Sequence, residues 1–181
     1  MKVALLFFAA ALSAFAQPQT IELDPARTDI RFILGDVLHT VHGTFKLKRA
    51  TLRLDPATGK ASGEIVVDVT SGNTGGGARD KRMHKEILES AQYPEAIFTP
   101  DRVEGKPAAM GDSSVRVHGT LTIHGAPHEL TLTVEIHGAA GHVTADTHFT
   151  MPYVEWGMKN PSNFILKVGK TVEVEIHAAV K

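Results

Sequence analysis

The sequence predicts an all-β protein, an antiparallel barrel or sandwich of about eight strands with a short helical insertion near residues 79–90. Three observations lead to this fold class. Apolar and polar residues alternate with period two through most of the chain after Gln17, short turn signals separate the alternating runs, and only one segment changes to helical spacing. The length of 181 residues, with 43% hydrophobic and 22% charged residues, is ordinary for one globular domain.

The first half of the chain contains three alternating runs, which predict strands around Phe32, Phe45 and Val67. The apolar positions change parity near residues 48–49, and this change predicts a β-bulge or bend. The sequence Asp-Pro-Ala-Thr-Gly at 55–59 is a turn signal that separates two of the strands.

The second half of the chain alternates more regularly. Four runs, at 115–123, 130–136, 143–149 and 172–176, each place apolar residues on one face and polar residues on the other. A Gly-Ala-Pro turn at 125–127 joins the first two runs. Short turns between strands of this kind favour antiparallel neighbours.

One segment departs from the alternation. Residues 71–77 are rich in glycine and predict a flexible loop, and residues 79–90 then place Met83 and Ile87 at helical spacing among charged residues. The dipeptide Tyr93-Pro94 ends this segment, because the residue before a proline is driven out of the helical region. We therefore expect one helical insertion in the β domain.

The N-terminus has the features of a secretory signal peptide. A basic start is followed by an apolar run at 3–12 and by small residues at Ala14 and Ala16. This pattern predicts a signal peptide over residues 1–16, cleaved after Ala16, and one mature domain over residues 17–181. The expected location is the periplasm or the exterior of the cell.

Composition excludes several classes of function. The net charge of −1 argues against a nucleic-acid partner, because phosphate binding needs a basic face. The absence of cysteine excludes disulfides, thiol catalysis and cysteine-ligated metals. No later apolar stretch reaches the length of about 20 residues that a membrane-spanning helix needs, so no membrane span is expected.

The ten histidines raise the question of a metal site. The pair His39 and His42 and the series His118, His124 and His128 are the closest groupings in sequence. Residues six apart on one strand are roughly 20 Å from each other, so His118 and His124 cannot share an ion. We predict solvated surface histidines, no metal site and no catalytic residues, since no nucleophile motif is present either.

The chain resembles the YceI-like family, secreted proteins of lipocalin-like barrel fold that bind polyisoprenoids or similar long lipids. The pieces that carry the resemblance run in the family's order along the mature chain: Ile21-Glu-Leu-Asp24, Ile30-Arg-Phe32, Gly43-Thr-Phe45, Arg79-Asp80, Tyr93-Pro94 with Ile97-Phe98, Gly119-Thr-Leu-Thr-Ile-His-Gly125 with His128, and Trp156-Gly157 before a terminal strand. The hairpin motif that starts at Gly119 is the most specific of them.

This chain departs from the family pattern in three places. It has Arg27-Thr28 where His-Ser is usual, and it reads Arg-Asp-Lys-Arg-Met-His over residues 79–84 where Arg-Asp-x-His-Leu is typical. An aromatic pair that often precedes the Tyr-Pro dipeptide is replaced by residues 88–92. These departures lie around the insertion, where the mouth of a barrel cavity is expected.

The resemblance implies a long-chain lipid as ligand, held inside the barrel, with no shared catalytic set and no cofactor other than the bound lipid. A closed barrel turns one face of every strand inward, so strand parity selects the candidate lining residues. They are Phe32, Phe45, Val67, Phe98, Val117, Leu121, Leu132, Val134, Phe149 and Trp156.

Alternative functions remain open from sequence alone. A metal-assisted hydrolase would use the surface histidines, and a ligand-free β-scaffold would have a filled interior and act through protein partners. The same apolar faces serve a packed core as well as a tunnel. An exposed strand edge could also pair two copies, which leaves a homodimer open.

Overall fold

The computed structural model describes residues 17–35, 40–108, 110–139, 141–162 and 167–181. The predicted signal peptide lies outside these residues. The described chain contains nine strands: β1 Gln19–Glu22, β2 Asp29–Gly35, β3 Thr40–Leu54, β4 Ala61–Asn73, β5 Glu95–Glu104, β6 Gly111–Ile123, β7 Ala126–Ala139, β8 His142–Met151 and β9 Val172–Ala179. A 3₁₀ turn, Pro25–Arg27, precedes β2, and helix α1, Gly77–Arg82, lies between β4 and β5.

Eight of the strands close into an antiparallel barrel in the order β2-β9-β8-β7-β6-β5-β4-β3, with β3 pairing β2 to complete the circle. The short strand β1 pairs with the end of β3 and adds a ninth strand outside this circle. The predicted all-β barrel is therefore confirmed, and the sandwich alternative is wrong. Closure explains the strict inside–outside alternation, because every strand has one face turned to the interior.

Long strands curve round the barrel with the help of irregular pairings. The register between β3 and β4 shifts between Leu47 and Arg49, which is where the change of parity predicted a bulge. A second shift lies between Thr44 and Lys46. There the Lys46 N–H donates its hydrogen bond to the Ser71 hydroxyl, at 2.8 Å, instead of to a backbone carbonyl of the neighbouring strand. Bulges of this kind bend a strand sharply enough for closure.

The insertion is shorter and less regular than predicted. Helix α1 ends at Arg82 and continues as one π-helical turn, Met83–Ile87, closed by a 2.9 Å bond from the Leu88 N–H to the Met83 carbonyl. The expected helix over 79–90 is thus displaced towards the N-terminus. Glu89 has a positive φ of 45°, which turns the chain away before Pro94 enters the sheet region. We call Gly77–Arg82 and Met83–Ile87 together the helical segment.

The barrel has two ends of different character. The turn at 55–59 lies at one end, where the Val103 N–H donates to the Gly59 carbonyl at 2.8 Å. The helical segment, the β6–β7 hairpin and the connection from 152 to 171 lie at the other end, which we call the mouth. Two apolar clusters fill the interior, and Phe45 and Val67 pack against both of them.

Candidate ligand cavity

An apolar cavity of about 210 Å³ lies at the mouth, between the barrel wall and the segments that cross it. Strands β2, β3, β8 and β9 form one side of it, and the helical segment and the β8–β9 connection supply most of the rest of the lining. The apolar lining residues are Phe32, Leu34, Val41, Phe45, Met83, Ile87, Leu88, Met151, Tyr153, Met158, Pro161, Val168, Val172 and Val174. Among the residues that the structure describes, Thr74, Arg79 and Arg82 add polar side chains to this lining.

Two aromatic rings form one side of the cavity. Phe32 and Phe45 lie with their ring centroids 5.1 Å apart and tilted by 34°. Gly43 pairs with Phe32 across β2 and β3, and a β-carbon at that position would overlap the Phe32 ring. A β-carbon at Gly72 would come within 2.6 Å of the Phe45 ring. The two glycines therefore give the rings room to lie close against the sheet.

The helical segment is held over the cavity by His84. Its Nε2 lies 2.8 Å from the Gly72 carbonyl, and its Nδ1 lies 3.0 Å from the Ser90 hydroxyl. Because a carbonyl only accepts, Nε2 carries a proton, and Nδ1 pairs with the Ser90 hydroxyl. This pair of bonds ties the segment to the end of β4 and to the turn that precedes β5. Met83 and Ile87 consequently face the cavity.

The two arginines of helix α1 lie at the polar side of the cavity. Arg79 donates from Nε to the Thr74 hydroxyl at 2.7 Å and from Nη2 to the Thr74 carbonyl at 2.8 Å. Asp80 accepts from the same hydroxyl at 2.5 Å and from the Thr74 N–H at 2.9 Å. The Thr74 hydroxyl bond is the main cause that holds the pKa of Asp80 below its usual range, so this carboxyl stays ionised.

The β8–β9 connection, described over residues 152–162 and 167–171, lies across the mouth. The buried Tyr153 closes this connection on itself by donating its hydroxyl to the Gly169 carbonyl at 2.7 Å, and burial raises the pKa of this phenol. The Gly169 N–H in turn donates to the Gly35 carbonyl of β2 at 2.9 Å. Trp156 stacks on His128 with ring centroids 4.2 Å apart and planes within 6°. Trp156 thus anchors the connection against β7 rather than lining the cavity.

The structure distributes the ten predicted lining residues unevenly. Phe32 and Phe45 line the cavity, while Val67, Leu121 and Trp156 pack in the apolar cluster around it. The other five lie on the barrel strands: Phe98 and Leu132 are buried, Val117 and Val134 are half-buried, and the half-buried Phe149 pairs with the cavity residue Val174. Their contact with a ligand remains a prediction.

Sequence reasoning missed most of the residues that cover the cavity. Leu34, Val172 and Val174 share the parity that selected the predicted set, so alternation could have found them. Met158 and the arginines of α1 follow no strand pattern. Their place depends on how the mouth-crossing segments fold over the barrel, for which a single sequence gives no periodic signal.

The surface histidines are paired with carboxylates. His118, His124, His137, His148 and His177 each lie within 4 Å of an aspartate or glutamate. Among the residues that the structure describes, no group of three or more His, Asp or Glu side chains is arranged to hold a metal ion. Each contact therefore joins a histidine to a nearby carboxylate and needs no metal ion to explain it.

One of these pairs predicts a measurable pH dependence. The hydrogen bond from His137 to Asp112, at 2.9 Å, is the main cause that raises the pKa of His137, and the charge of Asp146 adds to it. A histidine whose pKa is raised by folding stabilises the fold below its unfolded pKa of about 6.5. That stabilisation is lost as the pH rises through the folded pKa.

We expect Asp112→Asn to lower the titration midpoint of His137, as followed by NMR of the imidazole protons. Glu173→Gln, which removes the carboxylate beside His148 instead, is the control and should leave the midpoint of His137 unchanged. An unchanged midpoint for His137 in the Asp112 variant would show that Asp112 does not control it.

No helix in the described parts of the chain is long and apolar enough to cross a membrane.

Comparison with known proteins places this fold in a family. The model of the YceI-like domain matches residues 22–180. A UPF0312 protein of Vibrio parahaemolyticus is 27% identical over 131 residues, which cover 71% of this chain and 67% of that protein. A UPF0312 protein of Vibrio campbellii is 33% identical over 76 residues, and the match spans only 41% of this chain and 38% of the relative.

Solved structures agree in fold at low sequence identity. BcnA of Burkholderia cenocepacia aligns with a TM-score of 0.73 at 20% identity, covering 87% of this chain and 98% of its own. A polyisoprenoid binding domain from Saccharophagus degradans aligns with a TM-score of 0.69 at 20% identity, covering 89% and 97%. Because the family model spans most of the chain, the resemblance noted from the motifs is confirmed, and this chain belongs to the YceI-like domain family.

Proposed function

We propose that the mature protein binds a long-chain amphiphilic lipid inside the barrel and carries or sequesters it in the periplasm. The lipid would be a polyisoprenoid, an isoprenoid quinone or a fatty-acid-like molecule. The observation that carries this proposal is the cavity at the mouth, whose described wall is apolar except at Thr74, Arg79 and Arg82. An apolar chamber with polar groups at one side suits a ligand with an apolar tail and a polar end.

The binding energy would come from burial of the tail. Each methylene group taken out of water contributes roughly 0.8 kcal/mol, with no need for a specific polar contact. This accounts for a site without a catalytic or metal-binding motif. The S. degradans neighbour, described as a polyisoprenoid binding domain, shares this fold and supports the same class of ligand.

The cavity is smaller than a long lipid tail needs, so it must enlarge on binding. Ligand pockets commonly measure about 300–1,000 Å³, whereas this cavity measures about 210 Å³. A long tail therefore requires the wall to yield. Three of its residues, Met83, Met151 and Met158, are methionines, whose unbranched side chains rearrange more readily than branched ones. We infer that these side chains move aside as the tail enters.

Native mass spectrometry of the exported protein tests the proposal, followed by organic extraction and identification of any released molecule. We expect a mass for residues 17–181 and one stoichiometric lipid of several hundred daltons. The mass also tests cleavage after Ala16. A protein that is empty, and that takes up neither isoprenoid quinones nor fatty acids, would contradict the proposal and favour a filled β-scaffold.

A further inference from the structure

We propose that the ligand carries an anionic head, a carboxylate or a phosphate, and that Arg82 is the residue that selects it. This inference rests on the proposed function, because it assigns the polar end of the same ligand. It starts from the uneven distribution of charge around the cavity. The polar lining groups of the described chain, Thr74, Arg79 and Arg82, follow β4 or lie on helix α1, so they meet on one side of the mouth.

That side of the mouth carries an excess of positive charge. The stretch 77–88 contains four basic residues and two acidic ones: Arg79, Lys81, Arg82, Lys85, Asp80 and Glu86. Lys159, from the β8–β9 connection, adds a further cation, with its Nζ 3.8 Å from Glu86 Oε2. A field of this sign attracts anions and disfavours cationic heads.

Arg79 and Arg82 have different freedom to meet a ligand. Two of the five N–H donors of Arg79 bind Thr74, so this guanidinium is fixed in place. Arg82 makes one long contact, from Nε to Glu86 Oε2 at 3.3 Å, and the two side chains are 43% and 39% exposed. An exposed ion pair of this kind is weak, so Arg82 can turn to a ligand at little cost.

Glu86 cannot neutralise both of its partners. The same carboxylate oxygen faces Arg82 at 3.3 Å and Lys159 at 3.8 Å, which leaves one positive charge uncompensated between these three side chains. An arginine next to an apolar chamber presents a planar fork that matches a carboxylate or a phosphate with two parallel hydrogen bonds. A neutral hydroxyl or carbonyl head cannot use this charge. The chemistry of the mouth therefore favours an anionic amphiphile.

The test compares three probes with one tail: hexadecanoate, hexadecyl phosphate and hexadecanol, each measured by equilibrium titration against the mature protein. We expect the two anions to bind about tenfold more tightly than the alcohol. This preference should shrink as salt concentration rises, since the arginine is partly exposed. The ratio between hexadecanoate and hexadecyl phosphate then distinguishes a carboxylate head from a phosphate head.

Variants identify the residue responsible. Arg82→Gln should weaken binding of the anions roughly fivefold and leave hexadecanol unchanged, and Arg82→Lys should restore part of the loss. Lys81→Gln removes the same charge from an exposed neighbour outside the cavity lining and serves as the matched control. Glu86→Gln should act in the opposite direction and strengthen anion binding, because it frees both cations.

The outcomes separate this inference from the function on which it rests. Equal binding of all three probes by the unmodified protein, or equal effects of Arg82→Gln and Lys81→Gln, would overturn the inference and leave lipid binding in place. If none of the probes binds but the exported protein retains a neutral lipid, the anionic head alone is wrong. If it retains no lipid either, the proposed function is wrong as well.

Discussion

Replacement of Gly63 by alanine is expected to lower the free energy of unfolding by about 3 kcal/mol or more. Gly63 lies on β4 opposite Leu52, in the pairing between β3 and β4, and has a φ of +103°. L-residues rarely adopt this conformation. A β-carbon there would also overlap the Thr51 carbonyl and lie 3.0 Å from the Leu52 α-carbon. Backbone atoms cannot rotate away as a side chain can, so relief requires the strands to separate.

Urea denaturation followed by circular dichroism measures this effect. Gly77→Ala is the matched control, because a β-carbon at Gly77 meets nothing within 4 Å and the residue begins helix α1. Alanine should be neutral or slightly stabilising at that position. Since a domain of this size has a total stability of roughly 5–15 kcal/mol, the Gly63 variant should lose a large part of it. Equal midpoints for the two variants would refute the argument.

Replacement of Val174 by phenylalanine is expected to reduce lipid retention about tenfold or more while the barrel stays folded. Val174 lines the cavity and lies on β9 between Phe32 of β2 and Phe149 of β8. A third ring at this position would occupy space that the tail needs. Overpacking a filled core costs about 1–3 kcal/mol, and here the open cavity accepts part of the added volume.

The measurement is the amount of lipid that co-purifies with the protein, quantified after extraction, together with the thermal midpoint. Val103→Phe is the control: the same substitution on β5, next to the 55–59 turn at the far end of the barrel, outside the cavity lining. We expect the control to keep its lipid. Full retention by Val174→Phe would place the ligand elsewhere in the barrel.

Strand alternation was sufficient to predict the barrel wall. Phe32, Phe45 and Val67 point inward as their parity required, and the bend near residues 48–49 is a real shift of register. These features are local, because each depends on the period of a few neighbouring residues. Alternation alone left the closure of the sheet open between barrel and sandwich, since closure depends on the pairing of β2, near the start of the chain, with β9 at its end. The family resemblance is what predicted the barrel.

Alternation could not predict which inward-facing residues line the cavity. Phe98 and Phe32 have equivalent parity on their strands, yet only Phe32 lies against the cavity, because height along the barrel decides which inward residues meet it. Val66 shows the converse case. It has the parity of the outward face, yet its side chain is fully buried. Its partner across the β3–β4 pairing is Arg49, whose guanidinium also donates to the Glu64 carboxylate at 2.8 Å. Long polar side chains can cover an apolar neighbour in this way.

Trp156 is an intrinsic fluorescent probe at the mouth of the barrel. It is the single tryptophan of the chain, so the indole emission comes from one known position. That indole lies flat on His128 and joins the β8–β9 connection to the barrel wall. Movement of the connection away from β7 would unstack the two rings and change the surroundings of the only fluorophore of this type. Opening of the mouth can therefore be timed in the unlabelled protein, without a dye or an added mutation.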